Sequence, residues 1–165
     1  MRSDPEVRKI CFIGGGLRGG GQERALVNLA NYLVNKGWSV SIINLFKTEQ
    51  FYTIDNRIKI EWPNVIRSKH HRLIYAFKIL PYIRRAIKEF KPNVILSFGE
   101  WFNPFVLLST RFLAVPVYLS DRMGPLMKLD PIIQFSRRLT YRHADGVIVQ
   151  TKIAAEIVKK LTNSK

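Results

Sequence analysis

A single cysteine, Cys11, stands among the 165 residues, which excludes an intramolecular disulfide and any zinc site built on several thiolates. It falls inside the apolar run Ile10-Cys11-Phe12-Ile13 and reads as a buried core thiol in a protein of a reducing compartment. Acid is scarce too. Twelve Asp and Glu face 27 Lys and Arg, a formal net charge of +15 that calls for a polyanionic neighbour such as nucleic acid, anionic lipid or a phosphorylated substrate. No run of about 18 uncharged apolar residues occurs, so no span of a membrane is expected. Met1-Arg2-Ser3-Asp4-Pro5-Glu6 lacks the apolar centre of a signal peptide, and the expected location is cytoplasmic. No repeat, linker or low-complexity tract interrupts the chain, and 47% apolar with 12% aromatic content is enough to core a single domain over residues 1–165.

Glycine is concentrated in one place. Six of the ten glycines lie in Gly14-Gly15-Gly16-Leu17-Arg18-Gly19-Gly20-Gly21, after the apolar run and before an amphipathic segment opening at Gln22-Glu23-Arg24. Strand, glycine loop and helix form a phosphate cradle: main-chain N–H groups approach an oxyanion without a Cβ in the way, and the helix dipole points at the same place. A flexible loop in need of turn residues is the plainer alternative. Gly14-Gly15-Gly16-Leu17-Arg18-Gly19 also satisfies the G-x-G-x-x-G of a dinucleotide-binding oxidoreductase. That reading needs an acid ending the second strand to hold the ribose, where Phe46-Lys47 stands instead. A Walker A loop fails because no Lys-Ser/Thr follows the glycines.

Further along, strands and helices alternate. Leu26, Leu29, Ala30 and Leu33 predict a helix through residue 36 that Gly37 stops. Residues 39–46 form a β-branched run, and residues 57–62 alternate as an edge strand does until Pro63. Leu73, Phe77, Leu80, Ile83, Ile87 and Phe90 make the apolar stripe of a basic helix that Pro81 divides or kinks. Residues 93–97, 115–119 and 146–150 are further strands, residues 105–113 a helix, and Thr151 caps a last helix through Leu161. Asp130-Pro131 starts another helix, with Ile132, Phe135, Ser136 and Leu139 on its buried side. The predicted fold class is α/β: a Rossmann-like three-layer domain with a mostly parallel sheet.

Ligands of such sheets bind beyond the carboxyl ends of the strands. Besides the glycines, the residues placed there are Phe98-Gly99-Glu100-Trp101-Phe102-Asn103 and Ser120-Asp121-Arg122. An acid beside an arginine could act as a base or orient a hydroxyl, or be a surface ion pair. His70 and His71 lack a third ligand for a metal.

Four segments in order resemble the N-terminal domain of a family 4 glycosyltransferase of GT-B fold. Gly20-Gly21-Gln22-Glu23-Arg24 with Asn28-Leu29-Ala30 is similar to that family's G-G-x-E-R and N-L-A helix, followed by Gly37-Trp38. Pro92-Asn93-Val94-Ile95-Leu96-Ser97-Phe98 resembles its P-D-V-I-x-S-F strand, with asparagine for the acid, and Ser120-Asp121-Arg122 its S-[ED]-R strand end. Tyr141-Arg142-His143-Ala144-Asp145-Gly146-Val147-Ile148-Val149-Gln150-Thr151 resembles its Y-x-x-A-D-x-V-I-x-x-[ST] strand.

The resemblance implies one half of a two-domain enzyme that transfers a sugar from a nucleotide-sugar donor, with retention and without a metal, to a glycan or lipid-linked acceptor. A role in cell-surface polysaccharide synthesis is expected. The donor-holding C-terminal domain, with its paired glutamates, is expected to be missing from these residues, leaving the chain inactive alone. Gly20, Gly21 and Glu23 would meet the donor phosphate, and Asp121 is the candidate catalytic residue. Gly19, Arg24, Ser97, Glu100, Asn103, Ser120 and Arg122 would line the acceptor side of the cleft. Eight Lys and Arg between Arg67 and Lys91, with Tyr75, Phe77 and Tyr82, would suit an anionic membrane surface. A basic nucleic-acid-binding module is the rival, but no helix-turn-helix, RNA-binding strand pair or zinc spacing supports it, and nucleic acid is not an expected partner.

Overall fold

The computed structural model describes residues 7–64, 72–122, 124 and 130–162. Six strands form one parallel sheet: β1 (Lys9–Gly14), β2 (Ser39–Asn44), β3 (Lys59–Glu61), β4 (Val94–Phe98), β5 (Val117–Asp121) and β6 (Gly146–Val149), in the order β3-β2-β1-β4-β5-β6. Phe12 of β1 stands level with Ile42 of β2 and Leu96 of β4, and burial is highest in these inner strands and lowest in the edges β3 and β6. β3, with Lys59 paired to Glu61 at 2.7 Å, is the edge that its alternation predicts.

Helices cover both faces. On one, α1 (Gly21–Asn35) sets Leu26, Val27, Ala30 and Val34 against Phe12, Ile42 and Phe98. Leu29 of the predicted stripe is partly exposed, and Val27 and Val34 take the buried places. Gly37, at φ +82°, ends the helix in the left-handed region, as expected of it. On the other face, α2 (Arg72–Phe90) and α3 (Asn103–Thr110) pack Ile79, Ile83, Ile87, Val106 and Leu107 against Cys11, Ile13, Ile43 and Leu119. Burial pushes the Cys11 thiol well above its ordinary pKa, so it is an inert core group.

Three expectations are narrowed or corrected. Of the two outcomes expected at Pro81, division is excluded, since α2 runs unbroken through it with Ile79 and Ile83 buried on either side. Tyr82 is not an interfacial residue but lies in the core, and Tyr75 turns inward, stacking on Phe46 and donating its hydroxyl to the Leu45 carbonyl. Residues 67–71 of the basic run and the side chain of Phe77 lie outside the described residues. The third correction concerns α4 (Pro131–Thr140). Asp130 caps it as predicted, accepting the Ile132 N–H at 2.9 Å, but Ile132, Phe135 and Leu139 face solvent, with Ser136 half-buried. A short 3-10 turn (Tyr141–His143) leads to β6, and α5 (Lys152–Thr162) closes the described chain.

Candidate functional site at the carboxyl edge of the sheet

The chain order reverses between β1 and β4, the place where open sheets of this kind carry a ligand crevice, and here the loops after those two strands pack against each other. After β1, the glycine loop continues the ladder for two residues, with the Leu45 and Phe46 N–H groups donating to the Gly14 and Gly15 carbonyls at 2.9 and 2.8 Å. A Cβ on Gly15 would lie 2.8 Å from the Phe102 ring, and one on Gly16 would lie 2.7 Å from the Thr48 methyl. These two glycines are required by close packing. Leu17 anchors the loop with a fully buried side chain, donates its N–H to Thr48 Oγ1 at 3.0 Å and accepts from the Phe51 N–H at 2.9 Å.

Gly20 and Gly21 differ in what their N–H groups meet. That of Gly20 donates to the Tyr52 hydroxyl at 3.1 Å, and the same hydroxyl donates to the Gly20 carbonyl at 2.9 Å. Gly21 is the first residue of α1 and is exposed; a Cβ built on it would meet nothing within 4 Å. The Glu23 carboxylate folds back over Gly20, placing a negative charge at the positive end of the α1 dipole. Arg24 and Gly19 are exposed beside it.

The loop after β4 turns at Gly99, whose φ of +114° is open to glycine. Its carbonyl accepts the Phe102 and Asn103 N–H groups, both at 3.0 Å, and a Cβ there would lie 2.8 Å from Gln22 Nε2 of α1. Gln22 and Phe102 thus press the two loops together. Glu100 is buried beside the turn, while Trp101 is exposed at the rim.

Beneath the crevice lies a buried polar network. Ser97 Oγ donates to Asn103 Oδ1 at 2.7 Å, and Asn103 Nδ2 donates to Asp121 Oδ1 at 2.8 Å and to the Tyr141 hydroxyl at 3.1 Å. Tyr141 donates to the same Asp121 oxygen at 2.9 Å, and Arg137 from α4 donates to Asp121 Oδ2 at 2.6 Å. Both carboxylate oxygens are therefore engaged. Burial raises the Asp121 pKa above its ordinary value; Arg137 opposes the shift and Glu100 adds to it. Burial is also the main reason that Tyr141 is raised, and it stays a neutral donor.

Of the predicted residues, Ser97, Asn103 and Asp121 come together in this network, with Glu100 close by. Ser120, one residue away on β5, points to the opposite face and accepts from Arg122 Nε at 3.2 Å; the Arg122 guanidinium lies 5.6 Å from the centre of the Phe98 ring. The sequence reading did not select Tyr141, Arg137, Gln22, Tyr52 or Thr48. Tyr141 opens one quoted motif and Gln22 lies within another, whereas Arg137, Tyr52 and Thr48 carry no local signal that links them to the site.

A parallel sheet of this order, with a glycine loop and a second turn meeting at its switch point, defines a Rossmann-like α/β domain. Solved structures agree. A sucrose-phosphate synthase from Thermosynechococcus elongatus superposes with a TM-score of 0.71 at 12% identity, over 93% of this chain and 45% of that one. The lipopolysaccharide outer core galactosyltransferase WaaB gives 0.71 at 13% identity, over 93% and 42%. The fold is thus that of a GT-B glycosyltransferase domain.

The family model for Glycosyltransferase Family 4 matches residues 19–165, and the chain belongs to that family. A Campylobacter jejuni relative, the GalNAc-alpha-(1->4)-GalNAc-alpha-(1->3)-diNAcBac-PP-undecaprenol alpha-1,4-N-acetyl-D-galactosaminyltransferase, is 34% identical over 145 residues, covering 87% of this chain and 40% of that protein. The amylovoran biosynthesis glycosyltransferase AmsD of Erwinia amylovora is 30% identical over 105 residues, 62% of this chain and 28% of that one. The chain therefore spans well under half the length of these relatives.

Proposed function

We propose that this chain is the acceptor-side half of an enzyme that transfers a sugar from a nucleotide-sugar donor to a lipid-linked or glycan acceptor, with retention and without a metal, in cell-surface polysaccharide synthesis. The observation that carries the reading is the 34% identity to the Campylobacter transferase across 87% of this chain, with the glycine loop and the Gly99 turn pressed against each other at one crevice. The donor would be held mainly by a second domain beyond these residues. Gly21 would supply an N–H to the leaving diphosphate, aided by the start of α1, while Glu23 yields its place at the dipole to the incoming anion. Gly20 contributes by shape, since its N–H already serves Tyr52. Gly19, Arg24, Glu100 and Arg122 would border the acceptor. Asp121, candidate for the chemistry, would act by fixing Asn103 and Tyr141 under the crevice, with Ser97 and Ser120 completing the support on either face of the sheet.

The test is transfer from labelled nucleotide sugars to a polyprenyl-diphosphate-linked saccharide, using the polypeptide that carries both halves and, separately, these 165 residues. Product with the donor's anomeric configuration is expected from the first and negligible product from the second; an inverted product, or turnover by the short chain, overturns the corresponding part. In the two-domain polypeptide Gly21→Val is expected to lower kcat/KM about tenfold or more by obstructing the phosphate. Its side chain meets open space, so a lost rate with an unchanged melting temperature would belong to the ligand.

A further inference from the structure

The last turn of the glycine loop is held from outside. Gly20 is the N-cap of α1 and has no side chain with which to cap it, and the glycines on either side of it are equally free in conformation. The restraint comes from the segment after β2. Thr48 Oγ1 takes the Leu17 N–H at 3.0 Å, the Phe51 N–H reaches the Leu17 carbonyl at 2.9 Å, and the Phe51 ring lies over Gly19, where a Cβ would come within 3.2 Å of it. Tyr52 completes the strap. Its ring is partly buried against the α1 side of the core and edge-on to Phe51 at 5.0 Å, and its hydroxyl takes the Gly20 N–H at 3.1 Å while donating to the Gly20 carbonyl at 2.9 Å.

We propose that Tyr52 is a positioning residue that aims the Gly21 N–H at a diphosphate, an inference that rests on the transferase reading of the glycine loop. The Gly20 carbonyl and the Gly21 N–H belong to one planar trans peptide, so they point in opposite directions. Whatever grips the carbonyl aims the N–H. Two donors grip it, the Arg24 N–H at 2.9 Å from within α1 and the Tyr52 hydroxyl from without, and the Gly21 N–H is turned away from both, out of the open end of the helix. Arg24 restrains only the carbonyl side of Gly20. Tyr52 also ties its N–H, so the residue is fixed on both sides and the next N–H is set before any ligand arrives. A donor aimed in advance needs no reorganisation when charge develops on a leaving diphosphate. Phenylalanine at position 52 would keep the ring and its packing and lose only the clamp.

Amide NMR of the chain with inorganic pyrophosphate tests the clamp without a sugar donor or an acceptor. The Gly21 amide is expected to shift as pyrophosphate is added while the Gly20 amide, engaged by Tyr52, stays in place, and Tyr52→Phe is expected to bind pyrophosphate about tenfold more weakly. Gly37→Ala, strained at the far end of α1, controls for a general loss of stability and is expected to bind like the parent. In the two-domain polypeptide Tyr52→Phe is expected to lower kcat about tenfold and to leave the acceptor KM within about twofold. A parent whose Gly21 amide ignores pyrophosphate, a Gly20 amide that moves as far as that of Gly21, or a Tyr52→Phe variant that binds pyrophosphate like the parent overturns the proposal. So does an unchanged kcat where the parent is active, or a Gly37→Ala variant weakened as much as Tyr52→Phe. A pyrophosphate response that depends on Tyr52, in a polypeptide that transfers no sugar, leaves the clamp standing and removes the transferase reading.

Discussion

Asp121 shows how far one residue's position can differ from its role. It ends β5 at the crevice, yet it is 6% exposed and holds three donors from Asn103, Tyr141 and Arg137. Removing it strands a buried guanidinium, so Asp121→Ala is expected to destabilise the chain by about 3 kcal/mol in urea unfolding. Tyr141→Phe, which keeps the ring and deletes the shared hydroxyl, is expected to cost about 1–2 kcal/mol. A loss below about 0.5 kcal/mol for Asp121→Ala would mean that the network is not what holds β5 to α3 and α4. The acid itself was legible as a strand-end carboxylate. Its partners were not, because Arg137 and Tyr141 come from 16 and 20 residues downstream and no local pattern links them to it.

At the scale of elements, turns separate into those that need glycine for conformation alone and those that need it also for space. Gly37 and Gly99 both have positive φ, but a Cβ on Gly37 meets nothing within 4 Å while one on Gly99 meets Gln22 and Phe102. Gly37→Ala is therefore expected to cost about 1 kcal/mol. Gly99→Ala is expected to cost about 2–3 kcal/mol, because strain and collision act together; equal losses in thermal melts would show that the loops can part freely. Strands were the most readable elements, since β1, β2 and β4 carry short apolar runs and are buried along nearly their whole length. α4 was misread for a physical reason. Periodicity identifies an amphipathic helix but not which side is inward, and here the polar side is claimed by Asp121.

Across the whole molecule, stability is expected to fall from the centre of the sheet to its edges. Hydrogen exchange should leave the amides of β1, β2 and β4 protected longest and release those of β3 and β6 first, because the central strands are paired on both sides and carry the core. Uniform protection would mean that the sheet opens as one unit. The strand–helix rhythm made this architecture readable from sequence, whereas contacts between distant loops were not. Tyr52 is the case with the widest consequence. Its hydroxyl both gives and takes a hydrogen bond at Gly20, and Thr48 holds Leu17, so the most glycine-rich stretch borrows its shape from a connection 31 and 32 residues downstream. During synthesis the loop would leave the ribosome unformed and set only when β2 and the segment after it arrive, about two seconds or more later at ordinary elongation rates of roughly 5–20 residues per second.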